Sequence, residues 1–523
     1  MVFVEDGDML SFADRCAREQ VHIIGHIQSH GLLFALSEPD LCVRQVSANV
    51  SVLLGTSTDV VLGRSLEAVL GAEQFELFRS RMRTDDLLPM HPLRVLVGTP
   101  QLEMNCVAHR QDDVLIVELE LVNGAQSLEP LKLGTNIQIL LSRLERASDM
   151  LDLCLVAAGE VRRLSGFDRA MVYRFDAEWN GEVIAEALAP RTVSYLGHRF
   201  PASDIPAQAR QLFLVNPLRA IADTGSAPVP IVPEIGPLTR KPLDLSRSFL
   251  RSASPVHIEF LRNWGVQSSM TASIIVDGRL WGMLACQHSA PRHVDCSTRS
   301  ICELVGRNLG LQIALRNSNA ALQERLSSRA LLESYMTGIE ACKSLVDAES
   351  FRRARLLDLL DSDGLVSRID GIVSSQGVTV PETLLLAVIG KLRSLSVRGI
   401  ASSNALGTLE VSAESYASTV SGALYIGLSS SEDGDYLLLV RRELVETITW
   451  AGNPANAVSF DAEGKLHPRT SFAAWKETMR GHARLWTELE LESARFLREQ
   501  LLHLRDAQKL KKFEERARQT AAR

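Results

Sequence analysis

A chain of 523 residues predicts three or four domains, each large enough to bury its own core. Apolar residues make up 46% and charged residues 23%, the balance of a soluble globular protein, and the net charge of −7 argues against a nucleic-acid partner. No apolar run reaches membrane-span length, Met1 to Arg18 is acidic and polar, and the eight cysteines show neither a CxxC pair nor a metal-ligand spacing. These features predict a cytoplasmic protein with reduced thiols, no metal and no membrane partner.

In residues 1–30 apolar positions show little periodicity, and Cys16 precedes His22, His26, His30 and Gly31. From Gly31 to about Leu121 period-two runs read as strands: Leu32–Leu36, Val43–Val50, Leu93–Val97 and Val114–Leu119. Helical stretches are expected at about 59–70 and 73–82. An antiparallel sheet with short helices on one side follows, and the turn-rich stretch Gly124 to Glu129 sets a first domain over 1–125.

A second domain, 126–316, opens with a helix over about 133–164 and continues with strands Ala170–Phe175 and Gly181–Glu186. Next comes Pro201-Ala202-Ser203-Asp204-Ile205-Pro206-Ala207-Gln208-Ala209-Arg210. The prolines fix φ at both ends and exclude a regular helix between them, leaving a rigid loop with an exposed carboxylate. The loop opens a helical run from Gln208 to Leu218, and His198, Arg199, Arg210 and Arg219 make its surroundings basic. The Pro-rich excursion Pro228 to Pro242 is too long for an ordinary loop and points to function. Arg251 then opens a helix to Trp264, and strands Met270–Val276 and Gly282–His288 close the sheet.

A long helix at about 297–346 leads into a third domain, 317–505, with strands at 375–380, 423–428 and 436–442 and a helix at 381–395. A last helix runs from about Trp475 to Ala521, so that 506–523 extends beyond the third domain towards an absent output module. The fold class is therefore α+β: three antiparallel-sheet domains joined by long helices.

Pro201–Arg210 resembles the signature loop of the phytochromes, and Cys16–Gly31 resembles the bacterial branch of that family. Trp450-Ala451-Gly452-Asn453-Pro454 and Pro468-Arg469-Thr470-Ser471-Phe472 resemble the two arms of the phytochrome tongue, here about 444–480. The resemblance covers almost all of residues 10–505 and implies PAS, GAF and PHY domains in that order. It also implies a figure-of-eight knot in which the N-terminal segment threads the Pro-rich excursion, with Ile27 near the crossing. Ile24 and Ser29 stand where relatives usually carry proline.

The same resemblance implies a red/far-red photoreceptor carrying biliverdin IXα through a thioether to Cys16. Arg18 and His22 beside that cysteine would favour the thiolate. Arg219 and Arg251 match residues that pair the two propionates, a task suited to the guanidinium fork. Ser254 and His257 match further contacts, and the main-chain carbonyl of Asp204 with a water on His257 is where pyrrole nitrogens converge. His288 matches the histidine that bonds the ring-D carbonyl. Tyr173, Phe200 and Phe213 match the aromatic shell, with Ile205, Pro206, Phe260, Ser269 and Thr271 also at the chromophore. Phe213 and Phe260 stand where many relatives have tyrosine.

The implied mechanism is a light-driven turn of ring D, after which Asp204 exchanges Arg469 for Ser471 and the tongue, with Trp450, Pro468 and Phe472, refolds. His198 stands where relatives that rest in the far-red state often carry glutamine, which points to a red-absorbing resting state. A homodimer through the GAF and PHY helices is expected, with an output kinase or response regulator downstream and no catalytic residues in this chain. The alternative is a PAS/GAF sensor of a nucleotide or other small molecule without bilin, against which Cys16 argues.

Overall fold

The computed structural model describes residues 20–84, 92–98, 100–122, 130–340, 356–429, 434–456, 458–460 and 466–521. Cys16 and Cys342 lie outside them. The chain divides into two compact units, one of residues up to Arg316 together with Thr449–Trp475, the other of Asn317–Ile448 together with Lys476–Arg523.

The first unit holds two sheets. In the first, strand Gly31–Ser37 lies between Cys42–Ser47 and Val114–Leu121, and Leu102–Gln111 and Leu93–Val97 extend the latter side. The strand Leu102–Gln111 was not expected from the sequence, and the run expected as Val43–Val50 ends at Ser47 before a short helix, Val50–Leu54. One face carries Leu32, Phe34, Val46 and Val117 into a core with the short helices. The Pro-rich excursion extends the other side. Its strand Val229–Val232 pairs with Cys42–Ser47 through Ile231 and Val232, and with His26–Ile27 on its other side. Ile27, fully buried, also bridges Arg251. The excursion thus joins N-terminal segment, first sheet and second domain.

Six neighbouring strands of the second sheet run Leu218–Ile221, Ser268–Val276, Arg279–His288, Arg169–Phe175, Gly181–Leu188, His198–Phe200. Asp277-Gly278, both at positive φ, make the tight turn between its second and third strands. One face packs on helices Pro130–Glu145, Met150–Ser165 and Cys296–Glu340 through residues such as Leu153, Val172, Leu284 and Val305. The helix expected over 133–164 is two helices. Asp149 breaks it, its side chain accepting from the Asp152 N–H at 2.8 Å while the Asp152 carboxylate accepts from the Ser148 N–H at 2.8 Å. The run from Gln208 likewise stops at Val215, and Leu218 belongs to a strand. Glu120 of the first sheet accepts both guanidinium nitrogens of Arg299, at 2.7 and 2.5 Å, and lies 2.9 Å from His293 Nε2. This buried network fastens the first sheet to the second domain.

The second unit carries a five-stranded antiparallel sheet, ordered Ile372–Gly377, Gly364–Ile369, Tyr436–Arg441, Gly422–Gly427, Ile400–Ser403. Its first hairpin turns on Asp370-Gly371 at φ 49° and 80°, the Asp-Gly pair favoured in two-residue hairpin turns. Helix Glu382–Leu395 covers one face. The C-terminal helix begins at Glu488 instead of Trp475, because Thr487 and Glu490 cap each other's N–H groups and Ala474–Met479 is a strand. Among the described residues no helix is long and apolar enough to cross a membrane.

Gly306 and Gly310 let the long helix lie directly on strand Ser268–Val276. A Cβ at Gly310 would come within 2.3 Å of the Ile275 carbonyl oxygen. Gly310→Ala should therefore destabilise the protein by about 1–3 kcal/mol, overpacking outweighing the helix-propensity gain of ~1 kcal/mol. Denaturant unfolding checks this: an unchanged or higher midpoint would mean that the backbones have room to part.

Candidate ligand cavity

Alternation along the strands gives the second sheet a face turned away from its helical core, and a cavity of about 240 Å³ lies on it. Met171, Tyr173, Ser269, Thr271, Met283, Ala285 and Gln287 supply its sheet side. Asp204, Ile205 and Pro206 line it from the loop, Phe213 from helix Ala207–Val215, and Phe260 from helix Pro255–Asn263. Pro206 stands at the N-cap of the first of these helices, in extended backbone, and Pro255 opens the second. The loop makes one 3₁₀ turn, Ala202–Asp204, and Arg210 Nη1 donates to the Ile205 carbonyl at 2.6 Å.

One part of the cavity is cationic. Arg219 Nη1 donates to the Phe249 carbonyl at 3.1 Å and its Nη2 to the Arg251 carbonyl, while Arg251 Nη1 donates to the Val21 carbonyl at 2.7 Å. Burial, aided by the neighbouring Arg251, pushes the Arg219 pKa well down, and burial takes Arg251 to about 10. Both would gain from an anion. Glu118 of the first sheet stands behind them, accepting from the Phe249 and Leu250 N–H groups at 3.0 and 2.7 Å, and burial lifts its carboxyl to about 7. Ser254 Oγ, Arg251 Nε and the Tyr173 hydroxyl are buried here without a hydrogen-bond partner among the described residues. Buried polar atoms of this kind are ordinarily satisfied, so together they mark a ligand's place.

Arg469 reaches the cavity's edge. Its Nη2 donates to Asp204 Oδ2 at 2.5 Å, the two side chains 3% and 7% exposed. The Asp204 carboxylate expected at the surface is thus buried under the arm that carries Arg469. Burial pushes its carboxyl up to about 7 against the opposing pull of Arg469. Phe472 stacks on Trp264 with ring centroids 5.0 Å apart and meets Phe260 edge-on at 5.2 Å. Pro468 lines the cavity, Trp450 is buried with its backbone paired to Arg199, and Ser471 is exposed.

Tyr173, Phe200, Asp204, Ile205, Pro206, Phe213, Arg219, Arg251, Ser254, His257, Phe260, Ser269 and Thr271 all line the cavity. His288 does not. Residues 283, 285 and 287 of its strand face the cavity, so His288 shares the parity of Leu284 and Cys286 in the helical core. It sits edge-on to Phe167, with Nε2 3.6 Å from Asp168 Oδ1. Gln287 and Trp264 also line the cavity and Glu118 backs its arginines, none of them expected from the sequence. Parity along Gly282–His288 would have found Gln287, and a carboxylate inside the apolar run Val114–Leu121 would have flagged Glu118.

His257 has its imidazole pKa lowered to about 4 by burial and by nearby Arg219. The neutral ring is therefore the folded form, and acidification from about 6.5 to 4 withdraws stability through this residue. Histidine-selective nuclear magnetic resonance on ligand-free protein should give a His257 midpoint near 4. A midpoint at 6.5 or above would contradict this description of the cavity.

Three sequence profiles match in order: the PAS fold over residues 16–122, the GAF domain over 149–316 and the phytochrome region over 325–509. The bacteriophytochrome of Xanthomonas campestris pv. campestris is 36% identical over 503 residues, covering 93% of this chain and 77% of that protein. Cyanobacterial phytochrome B of Nostoc is 34% identical over 491 residues, and there the chain spans 65% of the relative's length. Among solved structures, bacteriophytochrome RpBphP3 from R. palustris superposes with a TM-score of 0.82 at 34% identity, covering 93% of this chain and 98% of that one. The Stigmatella aurantiaca phytochrome photosensory core module does so with 0.79 at 35% identity, covering 95% and 98%. With its PAS, GAF and PHY regions in sequence, the chain belongs to the phytochrome family.

Proposed function

We propose that this chain is the sensory core of a red/far-red photoreceptor that holds biliverdin, joined through sulfur to Cys16. The observation that carries the reading is two guanidiniums, half-buried Arg219 and buried Arg251, in a cavity otherwise walled largely by apolar and aromatic side chains. A long apolar molecule with two carboxylates suits that lining, and the Ser254 hydroxyl and Arg251 Nε, without partners among the described residues, offer further donors. Val21, in the same N-terminal segment as Cys16, also lines the cavity.

When bound, biliverdin supplies a conjugated chain that absorbs red light and turns about a double bond. Arg219 and Arg251 would hold the carboxylates, with Glu118 fixing the 249–250 backbone between them. Neutral His257, stacked on Phe260, would present an imidazole nitrogen without adding charge. Phe213, Phe260 and Trp264 would exclude water. Asp204 would read the state of the cavity and pass it to the tongue through Arg469, exchanging that partner for Ser471 after illumination. We infer that the signal leaves through the long helices to an output kinase or response regulator. Exposed Leu311 and Leu315 on one helix, with Leu151 and Leu155 on another, suit a homodimer in the cytoplasm.

Biliverdin added to the protein should give a red absorption band that red and far-red light interconvert. Denaturation should leave a zinc-dependent fluorescent band, which Cys16→Ala should abolish. A Cys16→Ala protein that keeps the band would refute the attachment site, and a wild type that gains no visible band would refute the function.

The partner exchange predicts opposite kinetics for two variants. Truncating one member of a buried ion pair costs about 3–5 kcal/mol, so Arg469→Ala should favour the lit state and slow thermal return. Ser471→Ala should quicken it. Reversion measured after a flash of red light decides the matter, and changes of the same sign in both variants would exclude the exchange.

A further inference from the structure

Gln287 stands where the ligand cavity meets a buried arginine that no step above uses. Its strand neighbours are Arg169 on one side and Ser269 on the other. Arg169 is 8% exposed; its Nη1 donates to Gln287 Oε1 at 2.6 Å and its Nη2 to the Val193 carbonyl at 2.7 Å. The guanidinium also lies over the Tyr195 ring, 4.6 Å from its centroid, and 6.0 Å from that of Trp264. These four contacts hold it in place.

A guanidinium has donors only, so the amide atom that meets Arg169 must be the oxygen. That fixes the flip of the side chain and leaves its NH₂ as the group available to the cavity that Gln287 lines. A positive charge on Oε1 withdraws electron density from the amide and strengthens the remaining N–H as a donor. We propose that Gln287 Nε2 donates to a carbonyl oxygen of the bound tetrapyrrole and that Arg169 is the positioning residue that keeps the amide turned that way. The inference rests on the cavity holding a bilin. It replaces the expected role of His288 with a donor of a different kind. An imidazole at this place could gain or lose a proton, whereas an amide donates at every pH from 5 to 9.

The experiment is infrared spectroscopy of the biliverdin-loaded full chain, together with biliverdin affinity measured in a Cys16→Ala background. Gln287→Leu should raise a pigment carbonyl stretch and weaken binding about three- to tenfold, the range of one net hydrogen bond. Gln287→His should make that carbonyl band pH-dependent below neutrality, since burial and the adjacent Arg169 both disfavour a charged imidazole, and the wild-type band should not change there. Arg169→Leu should split the band as the amide samples both flips, and Arg169→Lys should restore a single band. Were Arg169 merely structural, its loss would lower the ligand-free melting temperature and leave the carbonyl band in place. Should Gln287→Leu fail to fold, Gln287→Met serves the same purpose. A carbonyl band and affinity unchanged in either variant would overturn the proposal. A wild type that binds no biliverdin would instead overturn the reading on which it rests.

Discussion

The ion pair between Asp204 and Arg469 is the constraint on which the cavity's edge depends. Burial costs each charge several kcal/mol, and their attraction recovers it only where geometry and further hydrogen bonds are good. Here they are good for one bond and poor for the rest. Nη2 meets the carboxylate at 2.5 Å, whereas Nε and Nη1 of Arg469 are buried with no partner among the described residues. Phe472, Phe200 and Phe260 surround the guanidinium at 4.7, 5.6 and 5.6 Å, softening the cost through their ring faces. An Asp204 carboxyl lifted to about 7 is the sign that attraction does not fully repay burial. Such a contact holds the arm when intact and is undone by a small change at either partner, which suits a switch better than a rivet.

The rest of the architecture serves to keep that contact next to the cationic part of the same cavity. Strand Val229–Val232 completes the first sheet, Ile27 locks against Arg251, and Arg251 takes the Val21 carbonyl. Glu118 reaches from the first sheet to the backbone beside the arginines. The two domains therefore build one site, and the N-terminal segment is tied to it by hydrogen bonds as well as by sequence proximity.

Much of this was legible in the sequence because it is local. Pro201 and Pro206 dictate the loop, period-two runs dictate most strands of the first two sheets, and the spacing of Arg251, Ser254 and His257 brings them to one wall. What was not legible depends on partners distant in the chain. Leu102–Gln111 becomes a strand by pairing with Val114–Leu121 and Leu93–Val97, not through its own propensity. Asp204 reads as exposed until Arg469 covers it. The confusion of His288 with Gln287 has another cause: a shift of one residue inverts the face of a strand, so residue type alone misleads where parity decides.

The most direct test of this account is a double-mutant cycle on the Asp204–Arg469 pair, with hydrogen exchange of the 466–473 backbone amides in the unilluminated protein as the readout. Asp204→Asn and Arg469→Met should each speed exchange along the arm, and the double variant should be no faster than the quicker single one, because one interaction is lost in every case. Effects that simply add would mean that the two residues act separately and that the arm is held to the cavity by something else.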